Sequence, residues 1–412
     1  MPRPVPCTRH SVMAVSLPSA PEGEDRMTSF TTVQTAAMQR ALRAAASPDA
    51  PPGPNPRVGC VILSPDGDVL AEGHHRGAGT AHAEVDALAN LAAAGASARG
   101  TTAVVTLEPC DHEGRTGPCV QALLAAGVAE VIYAQDDPTE QAGGGAATLE
   151  AAGVRVRRGL CSQDAARLNR PWFLAVTRGR PMVTWKLAAT LDGRIAAADG
   201  PSRWIIPAAA RRDAHHLRRQ CAAIMVGTGT ALAAAPALTV RDETGEPAPP
   251  HLQPLRVVVG SRRLPPASRV LADDHYLLLP DHDPRTVLAV LAEREIRHVL
   301  LEGGPTLATA FLRAGVVDEV VAYTAPALLG AGPAALADFG ATTITDALRL
   351  RHPRVEVLGT GDELAVRLSG DLGADDIHPD APPGPRPRHR VQRPGHRDRI
   401  HPPIRCHTEE SH

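Results

Sequence analysis

The chain has 412 residues, a formal net charge of -2 and seven cysteines. That length exceeds one ordinary domain and suits two with tails. Near-neutrality and only 2% aromatic residues argue against a basic, base-stacking nucleic-acid binder. The odd, scattered cysteines describe no disulfide framework, and no apolar run of about 18 residues or more reads as a membrane span.

Residues 1–28 are Pro- and Ser-rich with mixed charge and lack an apolar h-region. They read as a disordered leader, with Met27 as an alternative start. Beyond it, helix and strand patterns alternate. Val33 to Ala46 reads as a helix, Val58 to Leu63 as a buried strand and Val69 to His74 as a second strand. A helix follows from His82 to about Ala94, then a strand from Thr102 to Thr106. The helix Cys119 to Ala126, the strand Glu130 to Ala134 and the helix Gly144 to Ala152 complete this segment. Gly95, Gly127 and Gly153 stand where helix C-caps belong.

A hinge is expected near Asn169 to Arg180. After it come strands at Met182 to Ala188, Ala223 to Val226, Arg256 to Val259, His298 to Glu302 and Glu319 to Tyr323. Helices at Ala208 to Gln220, Thr286 to Arg294 and Thr306 to Ala314 alternate with them. From about Asp371 the chain turns Asp-, Pro-, His- and Arg-rich and has almost nothing apolar to bury. A disordered tail is the expectation there.

The chemistry concentrates in His82-Ala83-Glu84, Pro109-Cys110 and Cys119. A histidine and two cysteines suit a zinc ion whose fourth position stays open. A carboxylate near the metal can then carry protons. His-x-Glu followed by Pro-Cys and a second Cys defines the zinc deaminases, but there two residues separate the cysteines. Here the spacer is eight residues, Asp111 to Pro118. A structural zinc would want a fourth protein ligand, and Cys60, His74, His75 and His112 keep that alternative open.

Four stretches carry a specific resemblance: Asn55 to Ile62, Glu72 to His75, Ala81 to Leu88, and Thr106 to Cys119 with its Gly-Arg-Thr spacer. Together they resemble the bifunctional riboflavin-biosynthesis family, a pyrimidine deaminase fused to a ribosylamino-uracil reductase. The resemblance covers about residues 30–369. It implies an α/β chain with a cytidine-deaminase-like three-layer domain (29–173), then a dihydrofolate-reductase-like domain (180–369). The leader (1–28) and tail (370–412) flank them. His82, Cys110 and Cys119 then resemble the Zn2+ ligands and Glu84 the proton shuttle. Asn55 would hold the pyrimidine edge, with His112 and Arg115 near the substrate phosphate. Ala81 stands where the family usually has proline.

In the second half, Val226-Gly227-Thr228-Gly229-Thr230 alone is little more than a glycine-rich turn. Val299 to Thr306 is a strand, a glycine turn and a helix with Pro305 in its first turn, which can present amides to a phosphate. The resemblance adds Lys186 and Glu302 near the chemistry. It places Ser202, Arg218, Leu238 and Arg241 on the substrate, and Ala188, Trp204, Thr230, Ser261, Glu302, Gly303 and Gly304 on NADPH. Arg262 and Arg263 are candidates for its 2′-phosphate. Two departures stand out. Ala234 and Ala235 occupy positions that are usually aspartates, and Gly260 replaces another before Ser261.

The reading is a cytoplasmic enzyme of riboflavin synthesis acting on a small pyrimidine ribosyl phosphate. It expects zinc and NADPH, no nucleic acid, no membrane and a homo-oligomer. The alternatives are an active deaminase with an impaired or binding-only reductase half, a nucleic-acid-editing zinc deaminase, and a structural zinc module.

Overall fold

The computed structural model describes residues 29–113, 117–139, 142–200, 205–242 and 244–372. The expected leader and all but the first residues of the expected tail lie outside them. The first half runs α1 (Thr32–Ala45), β1 (Gly59–Leu63), β2 (Val69–His74), α2 (Ala83–Ala93), β3 (Thr102–Val105) and α3 (Cys119–Ala126). It continues with β4 (Glu130–Tyr133), α4 (Gly145–Ala151), β5 (Arg155–Arg158) and α5 (Ser162–Arg178). Its five strands form one sheet in the order β2-β1-β3-β4-β5. β1 is antiparallel to both neighbours, whereas β3, β4 and β5 run parallel.

Alternation sorts this sheet's side chains into two layers. Cys60, Ile62, Val105 and Val131 pack under α2, α3 and α4 through Ala87, Leu91, Leu123 and Leu149. Val61, Leu63, Val104 and Ile132 face α1 and α5 through Met38, Ala41 and Ala165. Strands buried on both faces read as continuous apolar runs, which is why β1, β3 and β4 are plain in the sequence. Gly73 lets α2 lie directly on β2, since a Cβ there would sit 2.3 Å from the Ala87 nitrogen.

The second half runs β6 (Met182–Thr190), α6 (Ala208–Arg219), β7 (Ala223–Gly227), α7 (Thr228–Ala234), β8 (Leu255–Val259), β9 (Tyr276–Leu279) and α8 (Pro284–Glu293). It ends with β10 (His298–Leu301), α9 (Pro305–Arg313), β11 (Glu319–Ala325), β12 (Arg351–Leu358) and β13 (Ala365–Asp371). The eight-stranded sheet has the order β12-β13-β11-β6-β10-β7-β8-β9. It is parallel from β11 to β9 and antiparallel at the β11-β13-β12 edge. α8 and α9 bury Leu288, Leu291 and Phe311 on one face, and α6 buries Ala210, Ala214 and Leu217 on the other.

The expected hinge at 169–180 is instead mostly helix. Residues 162–178 form the single helix α5, with Pro171 inside it. An interior proline costs about 3 kcal/mol, but here Trp172 and Phe173 bury themselves against Leu107. The end of α5 is then fixed to the second half. Asp318, 3% exposed in its side chain, takes Arg178 at 2.5 Å and Arg180 at 2.7 Å and accepts the Val183 amide at 2.8 Å. The last described strand runs up to the point where the tail is expected to begin. Asp371 closes β13 and pairs with Arg170, and the Leu372 amide reaches the Asp318 carbonyl.

Several elements missing from the sequence reading have local causes. β5 carries three arginines in four residues, and every residue of β12 is exposed or half-buried. Neither shows a clean two-residue alternation to read. β9 has four residues, and the seven-residue α7 hides inside the glycine-rich turn.

Candidate active sites

His82 is the N-cap of α2, so Glu84 falls in its first turn. Cys119 is the first residue of α3, after Pro118 at its N-cap. Cys110 lies in the loop after β3, where its carbonyl accepts the Val120 amide of α3 at 3.2 Å. Two helix starts and this loop thus carry the three donors to one point. His82 Nδ1 lies 3.2 Å from Cys119 Sγ and 3.4 Å from Cys110 Sγ, and the three donor atoms fall within 4.8 Å of one another.

These separations fit zinc. Bonds of about 2.3 Å to sulfur and about 2.0 Å to nitrogen, at a tetrahedral angle, place N and S about 3.5 Å apart. The donor chemistry fits as well. The Cys119 thiol hydrogen-bonds Cys110 and, with His82, holds the Cys110 thiol well below its usual range. Cys110 in turn pushes Cys119 far upward. A cation between the two sulfurs would favour the thiolate form of both. Glu84 is 3% exposed. Its burial and the Cys110 charge raise its carboxyl to about 7.

None of the four residues that kept a structural zinc open joins this cluster among the described residues. Cys60 is buried in β1. His74 faces Asp49 at 3.4 Å. His112 has a buried Nδ1 with no protein partner among the described residues. His75 is occupied at both nitrogens. Its Nδ1 meets the Ala81 carbonyl at 3.0 Å, and its Nε2 meets Asn55 Nδ2 at 2.9 Å. A carbonyl only accepts, so Nδ1 carries the proton and Nε2 accepts from Asn55. Burial favours that neutral ring by lowering its pKa. Asn55 is therefore oriented by His75.

The sequence reading missed His75 in this positioning role, and also Glu108. Glu108 Oε1 accepts the Gly144 and Ala146 amides at 3.1 and 3.0 Å, and Oε2 accepts the Asp137 amide at 3.2 Å. One buried carboxylate thus caps α4 beside the Pro109-Cys110 corner. Gly145 permits the approach, because a Cβ there would sit 1.9 Å from the Pro109 carbonyl oxygen. The usable signal was a glutamate directly before Pro-Cys. Arg115 lies outside the described residues.

The second site is a cavity of about 1440 Å³ across the carboxyl ends of the parallel strands. Lys186, Ala188, Arg218, Thr230, Ser261, Glu302, Gly303 and Gly304 all line it. Ser202 and Trp204 lie outside the described residues. Leu238 and Arg241 are not among the lining residues: Leu238 is buried in the core, and Arg241 donates to the Gly245 carbonyl. Gly304 is the N-cap of α9 with Pro305 next, and its amide is held by Thr230 Oγ1 at 3.1 Å. Arg218 forks onto both oxygens of Glu302. Burial opposes the charge on Glu302, but Arg218 and Lys186 outweigh it and hold the carboxyl at about 2. Burial lowers the pKa of Lys186. The lining also includes His215, which the sequence reading passed over.

This donor set on this sheet, with an acid poised beside it, defines a hydrolytic zinc deaminase of the cytidine-deaminase class, fused here to a nucleotide-dependent reductase. Residues 31–135 match the cytidine and deoxycytidylate deaminase zinc-binding region, and residues 181–362 match the RibD C-terminal domain. The riboflavin biosynthesis protein RibD of Mycobacterium tuberculosis is 51% identical over 308 residues, covering 74% of this chain and 89% of that protein. RibD of Escherichia coli is 40% identical, covering 81% and 98%. The crystal structure of Acinetobacter baumannii RibD superposes with a TM-score of 0.74 at 35% identity, over 83% of this chain and 99% of that one. The chain belongs to the RibD family of bifunctional deaminase–reductases of riboflavin biosynthesis. It is an enzyme with a zinc deaminase half and an NADPH-dependent reductase half. Among the described residues, no helix is long and apolar enough to cross a membrane.

Proposed function

We propose that the first half deaminates 2,5-diamino-6-(5-phosphoribosylamino)pyrimidin-4-one and that the second reduces the ribosyl group of the product to a ribityl chain. A Thermotoga maritima protein of similar structure (TM-score 0.71, 28% identity) is described as a diaminohydroxyphosphoribosylaminopyrimidine deaminase and 5-amino-6-(5-phosphoribosylamino)uracil reductase. The observation that carries the reading is the buried Glu84 carboxyl beside the His82, Cys110 and Cys119 donors.

In this reading His82, Cys110 and Cys119 hold zinc, which when bound supplies a Lewis acid that acidifies water near neutrality. Glu84, buried beside these donors, is placed to take and give a proton. It moves a water proton to the pyrimidine ring nitrogen and then toward the departing ammonia. Asn55, oriented by His75, holds the pyrimidine edge, and His112 and Arg115 are the residues assigned to the phosphate. In the reductase half, Lys186 and Glu302 flank the reacting sugar carbon. Of the four residues expected on the sugar phosphate, Arg218 lines the cavity but is held by Glu302, and Leu238 and Arg241 do not line it, so Ser202 keeps that role. Ala188, Trp204, Thr230, Ser261 and the Gly303-Gly304 turn hold NADPH, which supplies the hydride. Arg262 lines the cavity and Arg263 does not, so Arg262 is the one to read the 2′-phosphate.

Ala234 and Ala235 also line this cavity. That supports a second reading, in which reduction is slower than deamination. The edge strand β12, paired on one side with β13, exposes Val355 and Val357 at 64% and 63%, which favours a homo-oligomer. The zinc thiolates suit the reducing cytoplasm.

The test is to incubate the purified chain with the diaminopyrimidinone ribosyl phosphate, with and without NADPH, and to weigh the products. Without NADPH the expected product carries oxygen in place of one amino group. With NADPH it also gains a pair of hydrogens. An unchanged substrate in both arms would overturn the assignment.

A further inference from the structure

α6 turns one face to the reductase cavity: Arg211, Ala214, His215 and Arg218, spaced i, i+3, i+4 and i+7. Most polar groups on this floor already have protein partners. Arg218 is committed to Glu302 and the Thr239 carbonyl, and Arg211 donates to the Ile206 carbonyl. Among the described lining residues, His215 is the one with a buried side-chain nitrogen, Nδ1, that has no hydrogen-bond partner among the described residues. Buried polar atoms are rarely left so, and one that lines a cavity points to a ligand.

We infer that His215 is a substrate-holding residue of the reductase half, its Nδ1 hydrogen-bonding a hydroxyl of the sugar. The inference rests on the reductase reading of this cavity. The chemistry selects a hydroxyl over the phosphate. Burial and the neighbouring Arg218 charge hold the imidazole at about 4, so at neutral pH it carries no charge. A neutral ring pairs with a neutral hydroxyl, while the lining cations Arg262 and Arg269 match anionic oxygens.

The test compares His215→Phe, which keeps a ring, His215→Asn, whose amide falls near Nδ1, and His215→Gln, whose amide falls near Nε2. Reduction is followed in the full-length zinc enzyme at saturating NADPH, with varied 5-amino-6-(5-phosphoribosylamino)uracil. NADPH affinity is read separately from its fluorescence. His215→Phe is expected to raise KM about ten-fold, which is about 1.4 kcal/mol. Its kcat, NADPH affinity, deaminase rate and Tm should stay at wild-type values. His215→Asn should restore KM and His215→Gln should not. An unchanged KM in His215→Phe would overturn the inference. So would a matched loss of NADPH affinity, which would place the ring on the cofactor, or a matched loss of Tm and deamination, which would make it structural. If the wild-type chain neither binds NADPH nor reduces, the reductase reading itself falls and takes this inference with it.

Discussion

Arg218 closes its guanidinium on Glu302 through two parallel bonds, Nε to Oε1 at 2.7 Å and Nη2 to Oε2 at 2.8 Å. The pair joins α6 to the end of β10, 84 residues away in sequence. A bidentate pair of this kind sets angle as well as distance. It therefore fixes the Glu302 carboxylate in the cavity beside Lys186. Sequence reasoning gave Arg218 to the sugar phosphate, but the structure commits most of its fork to a protein carboxylate.

Acid should expose this pair first. The folded carboxyl of Glu302 sits at about 2, below its ordinary value of 4.5. Its stabilising contribution is complete above about pH 4.5 and is lost as pH falls toward 2. The linkage is on the order of 3 kcal/mol. Tm measured from pH 6 to pH 3 should fall more steeply for wild type than for Glu302→Gln, and parallel curves would show that the pair adds no acid sensitivity.

Cys110→Ala should strip the zinc and the deaminase activity together. Glu84→Gln should keep the zinc and lose deamination by about 10²-fold or more, because an amide cannot carry the proton. Metal analysis and ammonia release separate the two outcomes. Full deamination by Glu84→Gln would remove Glu84 from the mechanism.

Glu108→Ala leaves three amides without their acceptor. It should cost about 1–3 kcal/mol and loosen the Cys110 corner. We expect weaker zinc retention on dialysis against a chelator, with NADPH binding unchanged. Equal zinc retention in wild type and variant would limit Glu108 to capping α4.

Ala235 ends α7 at φ 40°, in the left-handed region, where aspartate is better tolerated than alanine. Aspartate at 235 therefore fits the backbone, and because both positions line the cavity, restoring aspartate at 234 and 235 should speed reduction without disturbing the zinc site. Single-turnover rates of each half-reaction decide it, and an unchanged reduction rate would mean that the cavity works with alanine.

Arg262 lies over the glycine turn, its Nε 3.4 Å from Thr228 Oγ1. Arg262→Gln should weaken NADPH about ten-fold or more while leaving NADH binding alone. Arg263→Gln should change neither. Equal losses for both cofactors would rule out a 2′-phosphate role.

The deaminase site was legible because its residues are local. His82 and Glu84 share one helix start, and Cys110 and Cys119 flank one short spacer, so spacing alone carries their geometry. The buried strands were legible because parallel sheets demand unbroken apolar runs. What the sequence could not show is long-range. Asn169 bonds both the amide and the carbonyl of Arg57, 112 residues away, and Asn55 is oriented by a histidine from another strand end. Pro171 reads as a hinge until Trp172 and Phe173 find Leu107. His215 reads as an ordinary helix residue until β6, β7 and β10 close a cavity around it. In each case the deciding energy comes from a partner that only the folded chain brings near, whether by burial, an oriented amide or a carboxylate across the sheet.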